Sequence, residues 1–437
     1  MISLYNSFKS KVLSKIRPLS TLNNIATLFF GNIIGQVIVV GAMPFLSRIY
    51  SPEQFGVFGT IAAITMVISA IASLRYEMAI VLPGKDKEAL NLFVLSNILI
   101  AIFSVIVYAT IVLCKPFIIA YFSQGAIIYP YLWFIPFAVL FSGFFRIANY
   151  WLTHRSDFKL LSRLLILKSI IMVMFQVIAG LNGLGASGLI MGQICGFLGI
   201  GVLFLFSFFR KEGKIIARSI HINKIKQVAR EYHFFPKYSS LQVLFNTLSQ
   251  NIPIFFFAFF YGPKAAGFYL LAYKLLNLPV FLVSQSVRQV IYKKTADTHN
   301  IQGNVHLLLK KSTLYLAVAV IIPTLIVMIW GIDIFKLVLG EQWAISGAYS
   351  RILAFWLFFA FVNPPAVMAY QVFSLQRILL VFEVILLVLR AGAFIFGGKY
   401  LDPIATVTLY TAVGILWNIF IITYMLFYSK MKAKQKL

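Results

Sequence analysis

Long unbroken apolar runs dominate this chain. Runs near 22–47, 56–82, 89–114, 127–150, 160–180 and 187–209 precede a basic stretch at 210–237. They resume near 238–260, 266–290, 312–330, 349–372, 378–396 and 404–427. About 20 apolar residues suffice for a helix to cross the hydrocarbon core of a bilayer. The runs are continuous rather than alternating, which excludes a barrel. They predict an all-α integral membrane protein with about twelve transmembrane helices. Composition agrees: 61% of the 437 residues are hydrophobic and 11% charged, against roughly 25% charged in a soluble domain. No long segment reads as a separate soluble domain. The basic N-terminus (Lys9, Lys11, Lys15, Arg17) precedes a run too long for a signal-peptide core, which predicts an uncleaved first span.

Charge sets the orientation. With a cytoplasmic N-terminus and twelve spans, Arg48, Lys115, Lys264, Lys274, Lys336, Arg351 and Lys399 fall on the far side or in the outer half of a span. Arg390 falls within a span. The other thirty of the 38 Lys and Arg residues lie at the cytoplasmic side, as the positive-inside rule requires. Both termini are therefore expected in the cytoplasm. The net charge of +26 is explained by this topology and by attraction to anionic lipid heads, so membrane lipids rather than nucleic acid are the expected partners.

The two halves of the chain repeat a pattern. Tyr50-Ser51-Pro52-Glu53-Gln54-Phe55-Gly56 follows the first span, and Tyr261-Gly262-Pro263-Lys264-Ala265-Ala266-Gly267 follows the seventh. Upstream stand Asn32 and Gln36 in one half and Asn246 and Gln250 in the other, each pair at i, i+4 and so on one helix face. Downstream, the next span ends at Arg75 or Arg288. Pro and Gly are common in any turn, but polar pair, turn and basic residue recur in the same order. Both odd-numbered spans run outward, so the repeat is parallel, an architecture of transporters built from two six-helix lobes. The expected division is 1–209 and 238–427 for the lobes, 210–237 for a basic cytoplasmic linker, and 428–437 for a basic tail.

Charges inside spans are costly and by default face a cavity or a partner. Those present are Arg75, Glu77, Arg146, Lys168, Lys274, Arg288, Glu383 and Arg390. Arg75, Arg146 and Arg288 either snorkel to the cytoplasmic interface or face a cavity. Snorkelling is harder for Lys274 and Arg390, which points these two to a cavity. Six cations against two carboxylates suit an anionic substrate. Glu383 and Glu77 are the ion-coupling candidates. Substrate contacts are expected from Lys274, Arg390, Arg75, Arg146 and Arg288 and from the polar pairs Asn32, Gln36, Asn246 and Gln250. Gly31 and Gly35, and Gly188, Gly192 and Gly196, recur at four-residue spacing and predict close helix packing.

Catalytic signals are missing: the chain carries no Walker loop, no nucleotide-binding glycine motif and no HExxH. Glu53, Asp333, Glu341 and Asp402 are the acidic residues outside, and no two are close in sequence. The five histidines lack ligand spacing and the two cysteines form no framework. No catalytic residue, cofactor or metal is expected, and the chain reads as a non-enzyme.

The basic N-terminus, the first span ending in Arg48-Ile49-Tyr50-Ser51-Pro52-Glu53-Gln54-Phe55-Gly56, and Arg75-Tyr76-Glu77-Met78-Ala79 resemble the polysaccharide repeat-unit flippases of bacteria. These are Wzx-type O-antigen translocases of the multidrug/oligosaccharidyl-lipid/polysaccharide exporter superfamily. The resemblance is best over roughly the first 85 residues and continues as a hydropathy match. It implies a MATE-like fold of two six-helix lobes around a V-shaped central cavity. The implied substrate is an undecaprenyl-pyrophosphate-linked oligosaccharide of O-antigen or capsular type. It would move from the cytoplasmic to the periplasmic leaflet of the bacterial inner membrane by alternating access, driven by an ion gradient. Implied partners are this lipid-linked substrate, a glycan polymerase and other assembly proteins. The first span carries Asn32 and Gln36 but no charge at mid-membrane, where related lipid II flippases are basic, so their site does not transfer. The alternatives are a multidrug or small-molecule antiporter of the same superfamily and a membrane enzyme of glycan assembly. Basic in-span charges speak against the first, and the absent outer acidic pair speaks against the second.

Overall fold

The computed structural model describes residues 27–116, 125–373 and 375–434. The basic N-terminal group Lys9, Lys11, Lys15 and Arg17 and the last three residues of the predicted tail lie outside the described residues. The long helices are α1 (Thr27–Ile49), α2 (Pro52–Ile71), α4 (Asp86–Leu113), α5 (Ile127–His154), α6 (Phe158–Leu181) and α7 (Gly185–Ser219). After them come α9 (Ser240–Asn300), α10 (Val305–Leu339), α11 (Ala344–Val362), α13 (Gln376–Tyr400) and α14 (Pro403–Lys434). Three short helices intervene: α3 (Tyr76–Ala79), α8 (Ile222–Glu231) and α12 (Pro364–Val372).

Among the described residues, eleven helical stretches are long and apolar enough to cross a membrane. The apolar runs predict about twelve, and the difference lies in α9. Its 61 residues would be about 90 Å long if straight, three times the hydrocarbon core. Gly262 breaks it, at φ 83° and ψ 173°, a conformation open to glycine and closed to most other residues. The arms before and after Gly262 are the predicted seventh and eighth spans.

Two compact units are present, one of Met1–Ile49 with Ile61–Leu248 and one of Tyr50–Thr60 with Ser249–Leu437. The stretch predicted as a linker, 210–237, is mostly helical. α7 runs on to Ser219, and α8 buries Ile225 and Val228 while leaving Lys224, Lys226 and Arg230 exposed. α8 packs on α4, and the Tyr76 hydroxyl donates to the Ala229 carbonyl at 2.8 Å. The sequence alternates apolar and basic side chains there with a helical period, so one face docks and the other meets water or lipid heads.

In the first unit the spaced glycines do what close packing asks of them. A Cβ at Gly35 would stand 3.0 Å from Ser169 Oγ, and one at Gly31 would collide with Ser162, both on α6. Gly192 and Gly196 bring α7 equally close to Met172 and Gln176 of α6. Phe93, Trp151, Phe204 and Phe208 join α4, α5 and α7 through an aromatic cluster.

In the second unit the two repeated turns meet through equivalent atoms. A Cβ at Gly56 would run into the Pro263 carbonyl, and a Cβ at Gly267 into the Pro52 carbonyl. Each would also lie 2.9 Å from the backbone nitrogen of the other glycine. Reciprocal contacts of this kind are what two copies of one motif make about a two-fold axis. Because the obstructing atoms are backbone, the contact has no rotamer with which to relax. Gly56→Ala and Gly267→Ala are each expected to destabilise by about 3 kcal/mol, the upper end for overpacking, and by similar amounts. Thermal melting of the purified variants checks this; one melting like the parent would show that the contact is not reciprocal.

Candidate functional site

The first unit gathers two of its in-span cations, Arg75 and Arg146, around Glu77. Span two stops at Ile71, and the chain turns through Leu74 (φ 50°) and Arg75 (φ 63°) into α3. Two successive non-glycine residues in the left-handed region are strained, and such strain persists where surrounding contacts enforce it. Among those contacts Glu77 carries charge: it is fully buried, accepts from Ser73 Oγ, and faces Arg75 Nη1 at 3.5 Å and Arg146 Nη1 at 4.0 Å. Arg146 also donates to the Ser69 carbonyl at 2.8 Å. A second Arg75 terminal nitrogen lies 2.7 Å from Met78 Sδ, while its Nε is buried without a partner.

Arg146 opens on a cavity of about 250 Å³ that also exposes Thr65, Ser69, Ser142, Asn149 and Gln193. Phe145 and Phe197 form its apolar wall. The Lys168 ammonium stands 5.7 Å and 5.3 Å from the centres of these two rings. The sequence marks Lys168 as an in-span charge but not as part of a site. It does not mark the hydroxyl and amide residues at all, because isolated Ser, Thr and Asn in a span look the same whether they line a cavity or bond their own helix.

The second unit holds its cation differently. The Arg390 guanidinium packs against both Trp356 and Tyr410, 5.2 Å and 5.4 Å from their centres, and the two rings meet each other edge to face at 5.5 Å. Trp356 ends a column of near-parallel rings. Phe257 and Tyr269 are 4.9 Å apart at 15°, Tyr269 and Tyr273 5.9 Å apart at 6°, and Tyr273 and Trp356 6.0 Å apart at 13°. Arg390 Nε and Trp356 Nε1 are buried without hydrogen-bond partners. No described carboxylate pairs with Arg390, so ring faces alone offset its charge and its hydrogen-bonding capacity stays open.

Lys274 follows Tyr273 and so leaves α9 about 100° round from the ring column. It is half-buried and forms no ion pair with a described residue. Arg288 and Glu383 are exposed, on α9 and α13. Asn32, Gln36, Asn246 and Gln250 are exposed as well; on α1 the exposed polar pair is the consequence of the glycine face being turned onto α6. The structure thus joins Arg75, Glu77 and Arg146 in one cluster and gives Arg390 an aromatic mount. Among the described residues no group of three His, Cys, Asp or Glu side chains is placed to hold a metal.

The chain shares its fold with solved structures described as a flippase and as transporters. The chain is similar to a structure described as lipid II flippase MurJ in an inward closed conformation, with a TM-score of 0.63 and 16% identity over 94% of this chain and 87% of that one. It is similar to an inward-facing multidrug resistance MATE family transporter of the MOP superfamily, at 0.59 and 17% over 94% of both chains. A mutant of the Vibrio cholerae MATE transporter VcmN matches at 0.53 and 13% over 95% of this chain and 96% of that one. At these identities the likeness establishes the fold. No curated protein sequence matches the chain. A family model described as polysaccharide biosynthesis protein matches residues 45–347, well over half of the chain, which belongs to the polysaccharide biosynthesis protein family.

Proposed function

We propose that the protein is a flippase for lipid-linked oligosaccharide. It moves undecaprenyl-pyrophosphate-linked repeat units of O-antigen or capsular type from the cytoplasmic to the periplasmic leaflet of the bacterial inner membrane, with both termini in the cytoplasm. The observation that carries this reading is Arg390, a cation within a span that is offset by ring faces and by no described carboxylate. Such a group is costly in the apolar phase and becomes favourable when an anion arrives. A pyrophosphate head crossing the membrane brings that anion, and a planar guanidinium matches its oxygens two at a time.

Arg75, Arg146 and Lys274 supply further cationic contacts along the substrate's path. Glycan hydroxyls suit a cavity such as that at Arg146, where Ser69, Ser142, Asn149 and Gln193 offer donors and acceptors beside two phenyl rings. Transport proceeds by alternating access and is coupled to an ion gradient through Glu77 or Glu383. A cation-exporting antiporter would want in-span carboxylates facing its cargo. Here the buried one, Glu77, is already engaged by two arginines.

The reading is tested in cells. A strain lacking the protein should accumulate lipid-linked repeat units that lectins reach only after the inner membrane is opened. Accumulation of units already accessible on intact spheroplasts would place the missing step after translocation and refute the proposal.

A further inference from the structure

A groove of about 520 Å³ lies on the second unit where α10, α11 and α14 come together. Met328, Ile352, Phe355, Ala412 and Ile415 make its apolar walls, and Arg351 is its one charged residue. Its volume falls within the range of about 300–1,000 Å³ usual for ligand pockets. The flank of α10 beside it is a lipid-facing surface: Leu314, Val318, Ile322, Leu325, Ile329 and Trp330 are all exposed. An exposed arginine breaks this surface, and no described carboxylate pairs with it.

Arg351 is held in place. Its Nε donates to the Met328 carbonyl at 2.6 Å. Gly331 leaves room for its stem, since a Cβ there would lie 2.9 Å from Arg351 Cγ. The tether fixes its depth. The uncharged stretch of α10 ends at Asp333, five residues beyond Met328, about 7 Å along the helix. Arg351 therefore sits just inside the boundary between chains and headgroups. From that level α11 and α14 both run towards the membrane interior, carrying Phe355, Ala412 and Ile415 with them. Thr411, also in the groove wall, has a buried hydroxyl without a partner.

We infer that this groove binds one anionic phospholipid of the surrounding bilayer, in the leaflet on the Leu339 side, with its phosphodiester on Arg351 and an acyl chain along Ile352, Phe355, Ala412 and Ile415. The charge balance selects this occupant. One tethered guanidinium neutralises one phosphodiester, and nothing else cationic lines the groove to meet a pyrophosphate. A neutral lipid would satisfy the apolar walls and leave the arginine as costly as before. This site is distinct from Arg390 and does not depend on what the protein transports.

Native mass spectrometry of the detergent-solubilised full-length protein tests the inference, using dioleoyl phosphatidylglycerol and dioleoyl phosphatidylcholine as separate probes. The first phosphatidylglycerol bound should be retained at least ten-fold better than phosphatidylcholine. Arg351→Ala should remove that preference. Arg351→Lys should keep the preference with weaker retention. Ala412→Phe, which fills the groove but leaves Arg351 in place, should lower first-lipid retention several-fold with an unchanged melting temperature. Equal retention by the parent and Arg351→Ala would overturn the site, as would an Ala412→Phe variant that binds like the parent. Displacement of phosphatidylglycerol by an equimolar amount of undecaprenyl phosphate would overturn the assignment to a bilayer lipid.

Discussion

Replacing Arg390 by alanine is expected to abolish surface glycan while the protein still accumulates in the membrane. Truncating one side of a desolvated charged contact typically costs about 2–5 kcal/mol, so substrate engagement should fall by about 30-fold to several thousand-fold. The alanine variant leaves Trp356 and Tyr410 in their edge-to-face contact and creates no unpaired charge, so the fold has little reason to fail. Arg390→Lys separates two roles. Lysine keeps the positive charge and a weaker attraction to the rings, but not the planar fork that grips two oxygens. Substantial export by the lysine variant would mean that charge alone suffices. Normal glycan display by the alanine variant at native expression would remove Arg390 from the mechanism.

Glu77 is expected to behave in the opposite way, as a residue of the fold first. Glu77→Ala strands Arg75 and Arg146 beside each other without their shared carboxylate. Breaking a buried ion pair by deleting one partner costs about 3–5 kcal/mol, enough to unfold many proteins at growth temperature. Glu77→Gln keeps an acceptor for Ser73 and should lose less. Combining Glu77→Ala with Arg146→Met should recover part of the loss, because the surplus charge is removed with its counterion. Thermal melting of the three purified variants reads this directly. If Glu77→Ala melts like the parent, the arginines are neutralised by something other than this carboxylate.

Much of the architecture was legible from residue order. A bilayer demands long apolar runs, so the spans announce themselves. The turns after Tyr50 and Tyr261 could be matched because proline and glycine are required there by backbone geometry, and the contact of Gly56 and Gly267 with the opposite proline carbonyls explains the requirement. The four-residue glycine spacing was legible for the same reason. Helical order within 210–237 was not, since the run of basic residues there masks the single apolar face formed by Ile225 and Val228.

The site was legible only as an inventory of charges. Arg390 stood out by its cost in a span, but its mount draws on α11 and α14, and no periodicity within α13 foretells Trp356 or Tyr410. Glu77 could be seen as an in-span carboxylate. That two arginines from separate segments converge on it is a tertiary fact, and it makes the residue part of an ion-paired cluster. Lys168 and the small polar residues around Arg146 carry too little individual signal to be separated from ordinary helix packing.

Translocation itself is the central claim, and reconstitution measures it. The purified protein would be placed in proteoliposomes carrying an undecaprenyl-pyrophosphate-linked oligosaccharide with a fluorescent sugar, and exposure of that sugar followed with an impermeant quencher. An imposed ion gradient should speed the passage of labelled lipid between leaflets well beyond the rate in protein-free vesicles, and the Arg390→Ala protein should return it to that background. Passage no faster than in empty vesicles, with an organic cation moved by the same preparation, would contradict the account and favour a cation antiporter.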